Sequence, residues 1–448
     1  MRRSRWKKSE GPWLGQSPPP LKNHGTRSTV RCVLIALVAG HAAFGADTPK
    51  SKAEAVSKPV ASRYTEQPKG EISPAMLRMQ EAGRVEGQRG SLTFFRWSGN
   101  PPKLSHLGLW GPKVSNEIIA LITTLPDLSF VSVYETGLSD EGVVPLTKLP
   151  NLRFLSITPI IRYEKVGFGA PQWSYPFMKP VADRPRVTGM GLRTIASITT
   201  LEGLDLLDAK LASSDLAVLA SLPKLGSLSL PNVLDDEAVR HLQACRRLTN
   251  LTLGHRAISA TELECLAAWK SLRKLVLTHT QLSDAALQAL SKLETVQSIE
   301  LIDCGLTDER LQHLHGSPKL KELSLVRNEI NGPGLAHLVK LNLTTLDLGY
   351  NNIRDETLLH VLPLTSLENL WLEYCIGVTD QGIHSGALQK MTHLKQLRLR
   401  GMKKVTDATL DDLMKFGHLG NLTIRETGIS WESVDRIKQA MPKTVVFK

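Results

Sequence analysis

The chain has 448 residues, 42% of them apolar and 22% charged, with 33 Gly and 25 Pro, which excludes a wholly disordered or collagen-like polypeptide. Its formal charge of +12 invites an acidic partner. Eight of the cations (Arg2, Arg3, Arg5, Lys7, Lys8, Lys22, Arg27 and Arg31), however, crowd into residues 1–31 beside a single acid, Glu10. The rest is only mildly basic, which argues against a chain-wide nucleic-acid surface.

That basic stretch leads into an apolar run, Cys32 to Phe44, with Ala43 and Gly45 as the small residues of a cleavage site after Gly45. Residues 1–46 therefore read as a signal peptide or signal anchor, and the chain as exported to the periplasm, the medium or the cell surface. The run is short for a membrane span, so membrane contact is expected only through an uncleaved signal. Residues 47–71, rich in Lys, Ala, Ser, Pro and Glu, read as a flexible linker. An N-terminal cap is expected over 72–103: a helix over 72–86, opened by Ser73-Pro74, then a strand over 91–98.

From residue 104 to 448 one phrase, L-x-x-L-x-L, recurs. It begins at Leu104, Leu128 and Leu152, and resumes at Leu201, Leu225, Leu248, Leu272, Val296, Leu320, Leu343, Leu367, Leu394 and Leu419. The steps are 23 to 27 residues, apart from 49 between Leu152 and Leu201. Such a period marks units that bury their apolar face only by stacking on copies of themselves. Each copy opens with a strand whose first, fourth and sixth residues point inward. A polar start signal follows, as in Ser139-Asp140, Ser283-Asp284, Thr307-Asp308, Thr379-Asp380 and Thr406-Asp407, suited to a helix N-terminus. Pro126, Pro150, Pro223 and Pro318 close several helices. A C-terminal cap is expected near 430–448.

The pattern resembles the leucine-rich repeat superfamily, and is similar to its ribonuclease-inhibitor-like and cysteine-containing subclass. The (S/T)-D-x-G signature is also similar to exported bacterial leucine-rich-repeat proteins. The resemblance implies an α/β solenoid: a curved horseshoe with a parallel β-sheet on the concave side and short helices on the convex side. It also implies a hydrogen-bonded loop ladder in the column that holds Thr136, Thr280, Cys304, Asn328, Asn351, Cys375 and Thr427, interrupted at Ala209 and Met402. Cys304 and Cys375 lie three rungs apart in that column, too far to bridge.

The double step contains either a degenerate repeat or an insertion at 159–186. The repeat resumes at Val187-Thr188-Gly189 as the start of a helical half, so an insertion would leave after one coil's strand and return to the same coil's helix. The segment carries Tyr163, Phe168, Trp173, Tyr175 and Phe177. Beside it, outward positions form an aromatic patch: His106, Phe130 and Phe154 in one column, Trp110 and Tyr134 in another. These, with Trp173, are candidate partner-binding residues; the alternative is that the insertion's aromatics cover the patch. A second candidate surface gathers Tyr350, Trp371, Glu373, Tyr374, Arg398, Arg400 and Arg425, residue types enriched at interfaces. The alternative there is a cation–π and salt-bridge network that only solvates the sheet.

No phosphate-binding loop, H-E-x-x-H, G-x-S-x-G or EF-hand occurs. His255 and His279 share a column without a third ligand, so neither metal nor cofactor is expected. Asn250, Asn342 and Asn421 match a glycosylation acceptor but sit in or beside packed strands. The expectation is a non-enzymatic scaffold that binds a protein, or a glycan, on its concave face and insertion, with no nucleic acid. An intracellular F-box-like adaptor and a cell-envelope enzyme using the 159–186 loop are the alternatives.

Overall fold

The computed structural model describes residues 84–89, 92–94, 104–110, 114–134, 137–158, 186–207, 209–230, 235–254, 257–314 and 317–448. The repeat phrase becomes one 16-stranded sheet. Its N-terminal edge is a hairpin, β1 (Arg84–Arg89) and β2 (Leu92–Phe94), in which β1 runs antiparallel to β3 (His106–Trp110). From β3 the strands follow chain order to β16 (Val445–Phe447), every neighbouring pair parallel. Residues 84–86 are thus strand, not the end of a helix. Gly83 breaks the helical period there, and the edge of β3 offers backbone partners that outweigh local helix propensity. Residues 72–83 lie outside the described residues.

The register is set by the leucines. Leu107, Val131, Leu155, Leu204, Leu228 and Leu251 pair in succession on neighbouring strands, and all are essentially buried. A slip of one residue would turn every one of them to solvent. Each buried leucine contributes about 1.5–3 kcal/mol. The strands stack about 4.8 Å apart, whereas helices are about 10 Å wide, so the coils wedge and the sheet takes the inside of a curved α/β solenoid.

The convex halves alternate between α-helix (Asp236–Gln243, Ala260–Leu266, Asp284–Leu290) and 3-10 helix (Ser213–Ser221, Pro333–Leu341). Two turns are too few for α-geometry to dominate, and the 3-10 form covers the same span with fewer residues. Leu287, Leu290, Leu335 and Leu338 are buried as their spacing predicts. Ser283, Thr379 and Thr406 accept hydrogen bonds from their own helix N-termini. Ser139 does not cap; it accepts from Asn116 Nδ2 instead.

Several acids at this position, after Ser139 and Thr379 and in one coil after Arg354, do more than face a helix dipole. Asp355 accepts from Thr379 N and Oγ1 of the next coil at 2.7 and 2.6 Å. Asp380 does the same to Thr406. Asp140 clasps Thr188 and Gly191 N across the long step. The glycine of the signature leaves room for that carboxylate: a Cβ on Gly382 or Gly191 would fall inside contact of Asp355 or Asp140. The (S/T)-D-x-G signature is therefore an inter-coil clasp.

A second ladder runs inside the loops. Asn328 Oδ1 accepts from Cys304 N and Leu306 N, each at 3.0 Å, while its Nδ2 donates to Leu301 O and Leu325 O. Asn351 repeats the pattern one coil on. Cys375 Sγ donates to Leu348 O at 3.2 Å, and Thr427 Oγ1 to Ile424 O at 2.7 Å. Ala209 and Met402 are buried in the same column with no group to join it; Thr136 lies outside the described residues. Cys245, Cys265, Cys304 and Cys375 are free thiols, and burial pushes Cys304 and Cys375 up to about 12.

Across the double step Phe154 and Gly203 pair directly on adjacent strands, and the described chain resumes just before the helix Gly189–Ile195. Residues 159–185 lie outside the described residues. The clasp predicts that Gly382→Ala, by displacing Asp355, lowers stability by about 1–3 kcal/mol. Gly417→Ala, with nothing within 4 Å of its added methyl, should change it by less than about 0.5 kcal/mol. Urea unfolding of the two variants checks this.

Candidate functional site

The outward positions place both expected surfaces on the concave sheet. At the N-terminal end, the rungs of His106, Phe130 and Phe154 pair in register. His106 stacks on Phe130 at 5.5 Å and Phe130 on Phe154 at 5.9 Å between ring centroids. The column ends because the Phe154 ring leans over Gly203, where a Cβ would overlap it. Ser105 Oγ lies 2.8 Å from His106 Nδ1, and burial lowers the His106 pKa. Tyr134 is half-buried on the neighbouring column. The Trp110 side chain and all of Trp173 lie outside the described residues. Asp205 closes the floor: Ser156 Oγ donates to it at 3.1 Å and Leu207 N at 3.2 Å. Burial nonetheless pushes its pKa up to about 7.

At the C-terminal end the candidates fall into two bonded groups, Trp371–Arg398–Glu373 and Tyr350–Tyr374–Arg400, the second tied together by Glu426. Trp371 and Arg398 pair on adjacent strands, and the Arg398 guanidinium lies 4.1 Å above the Trp371 ring. Its Nη1 is 3.7 Å from Glu373 Oε1. Tyr350 stacks on Tyr374 at 4.6 Å. Arg400 Nη2 donates to Glu426 Oε1 at 2.7 Å, and Tyr374 Oη to Glu426 Oε2 at 2.7 Å. Arg425 occupies the rung after Arg400, half-buried. The cation–π and ion-pair network anticipated from sequence is therefore present. Being tied together does not hide these groups: Trp371, Tyr374, Arg398 and Arg400 all keep partial exposure. Burial also raises Glu373, with Arg398 and Arg400 opposing.

Sequence reasoning missed the backbone beneath this set. Seven residues after the first leucine, His279, Asp303, Arg327, Tyr350, Tyr374, Gly401 and Glu426 all have φ between 49° and 79°. A left-handed conformation costs about 1–2 kcal/mol for a residue with a Cβ, and only one of these is glycine. The turn lets each N–H stay in the sheet ladder, as Tyr350 N does to Glu373 O at 2.9 Å and Tyr374 N to Arg400 O at 2.7 Å. The side chains then bond along the column. His279 Nδ1 meets Asp303 Oδ2 at 3.0 Å, and that hydrogen bond holds the Asp303 carboxyl below the usual range. Arg327 lies 4.9 Å over Tyr350. Gly401 is the notch: the Tyr374 ring occupies the space of its missing Cβ and so reaches Glu426 two rungs away. The available signal was Asp, His and Gly in one column, types that tolerate this conformation, diluted by Tyr and Arg, which do not advertise it.

Glu300, Ser324, Asp347, Trp371 and Arg398 follow one another in a column. Gly349 N donates to Asp347 Oδ1 at 2.9 Å. Burial, with Glu373 and Glu300 nearby, pushes Asp347 up to about 7 despite Arg398. Glu300 is held by Lys274 at 2.6 Å. The Trp371 indole N–H is buried without an acceptor. Among the described residues no group of three or more His, Cys, Asp or Glu is placed to hold a metal, and no helix is long and apolar enough to cross a membrane. Asn342, expected in packed surroundings, is exposed at a helix end with φ of 50°, because the helix stops at Leu341 and the strand begins only at Thr345.

Residues 270–291, 316–339 and 339–358 match the Leucine Rich repeat family model. No curated protein sequence matches the chain. Among solved structures the chain is similar to an internalin of Listeria monocytogenes, with 20% identity, a TM-score of 0.41, and 77% of this chain and 86% of that one covered. It is also similar to a leucine-rich-repeat protein of Leptospira interrogans, with 18% identity, a TM-score of 0.34, and 77% and 90% covered. TLR13 in its complex with ssRNA13 matches with 18% identity, a TM-score of 0.44 and 74% of this chain, which spans 50% of TLR13.

Asp347 makes stability depend on pH. Its folded pKa lies above its unfolded one, so its favourable contribution is complete below about pH 4 and is lost as pH rises through 7. Asp347→Asn keeps the acceptor for Gly349 N and carries no charge. It should raise stability by about 1–2 kcal/mol at pH 8, reduced from the full linkage value because the concavity is open to water. Near pH 4 it should change nothing; thermal unfolding across that range checks the sign.

Proposed function

We propose that the chain is a non-enzymatic scaffold that holds a protein partner against the C-terminal end of its concave sheet. One observation carries this reading: Trp371, Tyr374, Glu373, Arg398 and Arg400 converge on adjacent rungs, pinned to one another yet partly open to solvent. Aromatic and arginine side chains held in place lose little entropy on docking, which is where interface energy concentrates. The leucine-rich repeats supply the rigid frame, since a sheet fixed by its buried leucines presents outward side chains at fixed spacing. The N-terminal ring column is a second contact, and a glycan is the weaker candidate ligand. A nucleic acid fits less well, because Glu300, Glu322, Asp347 and Glu373 on the concave face repel a phosphate backbone. The α-helical convex halves favour a ribonuclease-inhibitor-like kind of coil.

The reading includes export, on the strength of the basic segment and the apolar run Cys32–Phe44. Sequencing of the mature N-terminus should begin after Gly45; intact protein in cytosol overturns export. Crosslinking in the native compartment tests the binding face. Trp371→Ala with Arg398→Ala should reduce partner recovery about tenfold or more. Unchanged recovery, with a cooperative unfolding transition retained, removes the C-terminal face from consideration.

A further inference from the structure

The sequence holds one Asn-Gly pair, Asn331-Gly332, at the entry to the convex half Pro333–Leu341. Asparagine is a thermolabile residue, most of all before glycine, where no side chain shields the backbone nitrogen that attacks its amide. The fold demands glycine at this place. Gly332 has φ of 130°, which disfavours a residue with a Cβ, and a Cβ there would lie 2.9 Å from Thr357 Cβ of the next coil. Asn331 is exposed to water. A reactive pair is thus built into the coil, and both of its reacting groups are held. Asp308 of the preceding coil, itself buried, accepts from Asn331 N through Oδ2 at 2.8 Å. Its Oδ1 accepts from Gly332 N at 3.0 Å and from Gly334 N at 2.7 Å. The Asn331 carboxamide donates back to Glu329 O at 3.3 Å. The seam has no slack, since a Cβ on Gly334 would overlap the Asp308 backbone.

We propose that Asn331 is a latent site of deamidation by water, kept closed by the Asp308 clasp. In the reaction Gly332 N loses its proton to water and attacks Asn331 Cγ. A C–N bond forms, a succinimide ring closes, and Nδ2 takes a proton from water and leaves as ammonia. Water then opens the ring at either carbonyl, leaving aspartate or isoaspartate at position 331; nothing is oxidised or reduced. Asp308 opposes the first step in two ways. Its hydrogen bond stabilises the N–H form, and its carboxylate, 3.0 Å from the nitrogen, repels the amide anion that must form. Reaction therefore waits for the seam between the two coils to open locally. Isoaspartate routes the main chain through Cβ and Cγ, which inserts an extra carbon between the N–H groups of residues 331 and 332. Asp308 holds those two groups together and cannot reclose on the lengthened chain, so an opening of this seam leaves a permanent mark.

The test incubates full-length protein at mildly alkaline pH and follows Asn331 by peptide mapping and mass spectrometry, with isoaspartate distinguished by electron-transfer fragmentation. A capped peptide of residues 329–334 in the same buffer sets the rate without the clasp. Folded protein should deamidate at Asn331 about tenfold or more slowly than the peptide, and urea above the unfolding midpoint should abolish that difference. Asp308→Ala should raise the rate in folded protein about tenfold or more. Asp308→Asn, which keeps the size of the side chain and one acceptor oxygen but loses the charge, should raise it by less. Asn342, outside the clasp and followed by leucine, is the internal reference and should stay as slow as in wild type. A cooperative unfolding transition shows that each variant is folded; if Asp308→Ala is not, Asp308→Asn and the wild-type comparison decide. Equal rates in folded wild type and peptide overturn the inference. So does a folded variant at Asp308 that reacts no faster than wild type, and so does a rise shared equally by Asn342, which reports general loosening and not release of this clasp.

Discussion

Everything in this molecule depends on the in-register burial of its repeated leucines. One coil of about 24 residues cannot shield its apolar face, and only contact with a neighbour of the same register does so. That condition makes the sheet parallel, fixes each outward residue beside its counterpart on the next strand, and turns sequence period directly into surface geometry. The aromatic column His106–Phe130–Phe154 and the pair Trp371–Arg398 are adjacent because the leucines beneath them are.

The polar part of each repeat then binds one coil to the next. The clasp from Asp355 to Thr379 and the amide ladder through Asn328 and Asn351 satisfy backbone groups that burial would otherwise leave unpaired. Both devices cross the boundary between coils, so the cost of breaking one is shared by two repeats. The glycine of the signature is a space requirement imposed by the previous coil's carboxylate.

Most of the architecture was legible in the sequence, and the reason is the same periodicity. Leu107, Leu228 and Leu346 are buried because thirteen aligned phrases leave no other face for them. The return of the chain into the helix Gly189–Ile195 could be read because Val187-Thr188-Gly189 repeats the start of other helical halves. What could not be read lay off the period. The strand over Arg84–Arg89 exists through pairing with a remote edge, and local composition does not encode that. The site was legible as a set of residues and not as a network. Trp371, Arg398 and Arg400 were found from their columns, whereas the role of Glu426 depends on Gly401 being absent as a side chain. Asp347 gave no sign of its unusual carboxyl, since its neighbours Glu300 and Glu373 stand 47 and 26 residues away in sequence.

The strain and the acidity sit on the same part of the sheet, and the coincidence has a physical reading. Six non-glycine residues in left-handed conformation would weaken an ordinary loop; here their side chains repay the cost by bonding along the column. The result is a rim whose rotamers are fixed by neighbours on both sides. Carboxylates held next to such a rim cannot turn away from one another: Lys274 meets Glu300, Arg398 meets Glu373, and Asp347 between them is raised by burial. At the N-terminal end the rings stack on one another, and Asp205, though met by Ser156 and a backbone N–H, is raised by burial as Asp347 is. One solenoid thus holds a raised carboxyl toward each end of its sheet, the C-terminal one set among ion pairs.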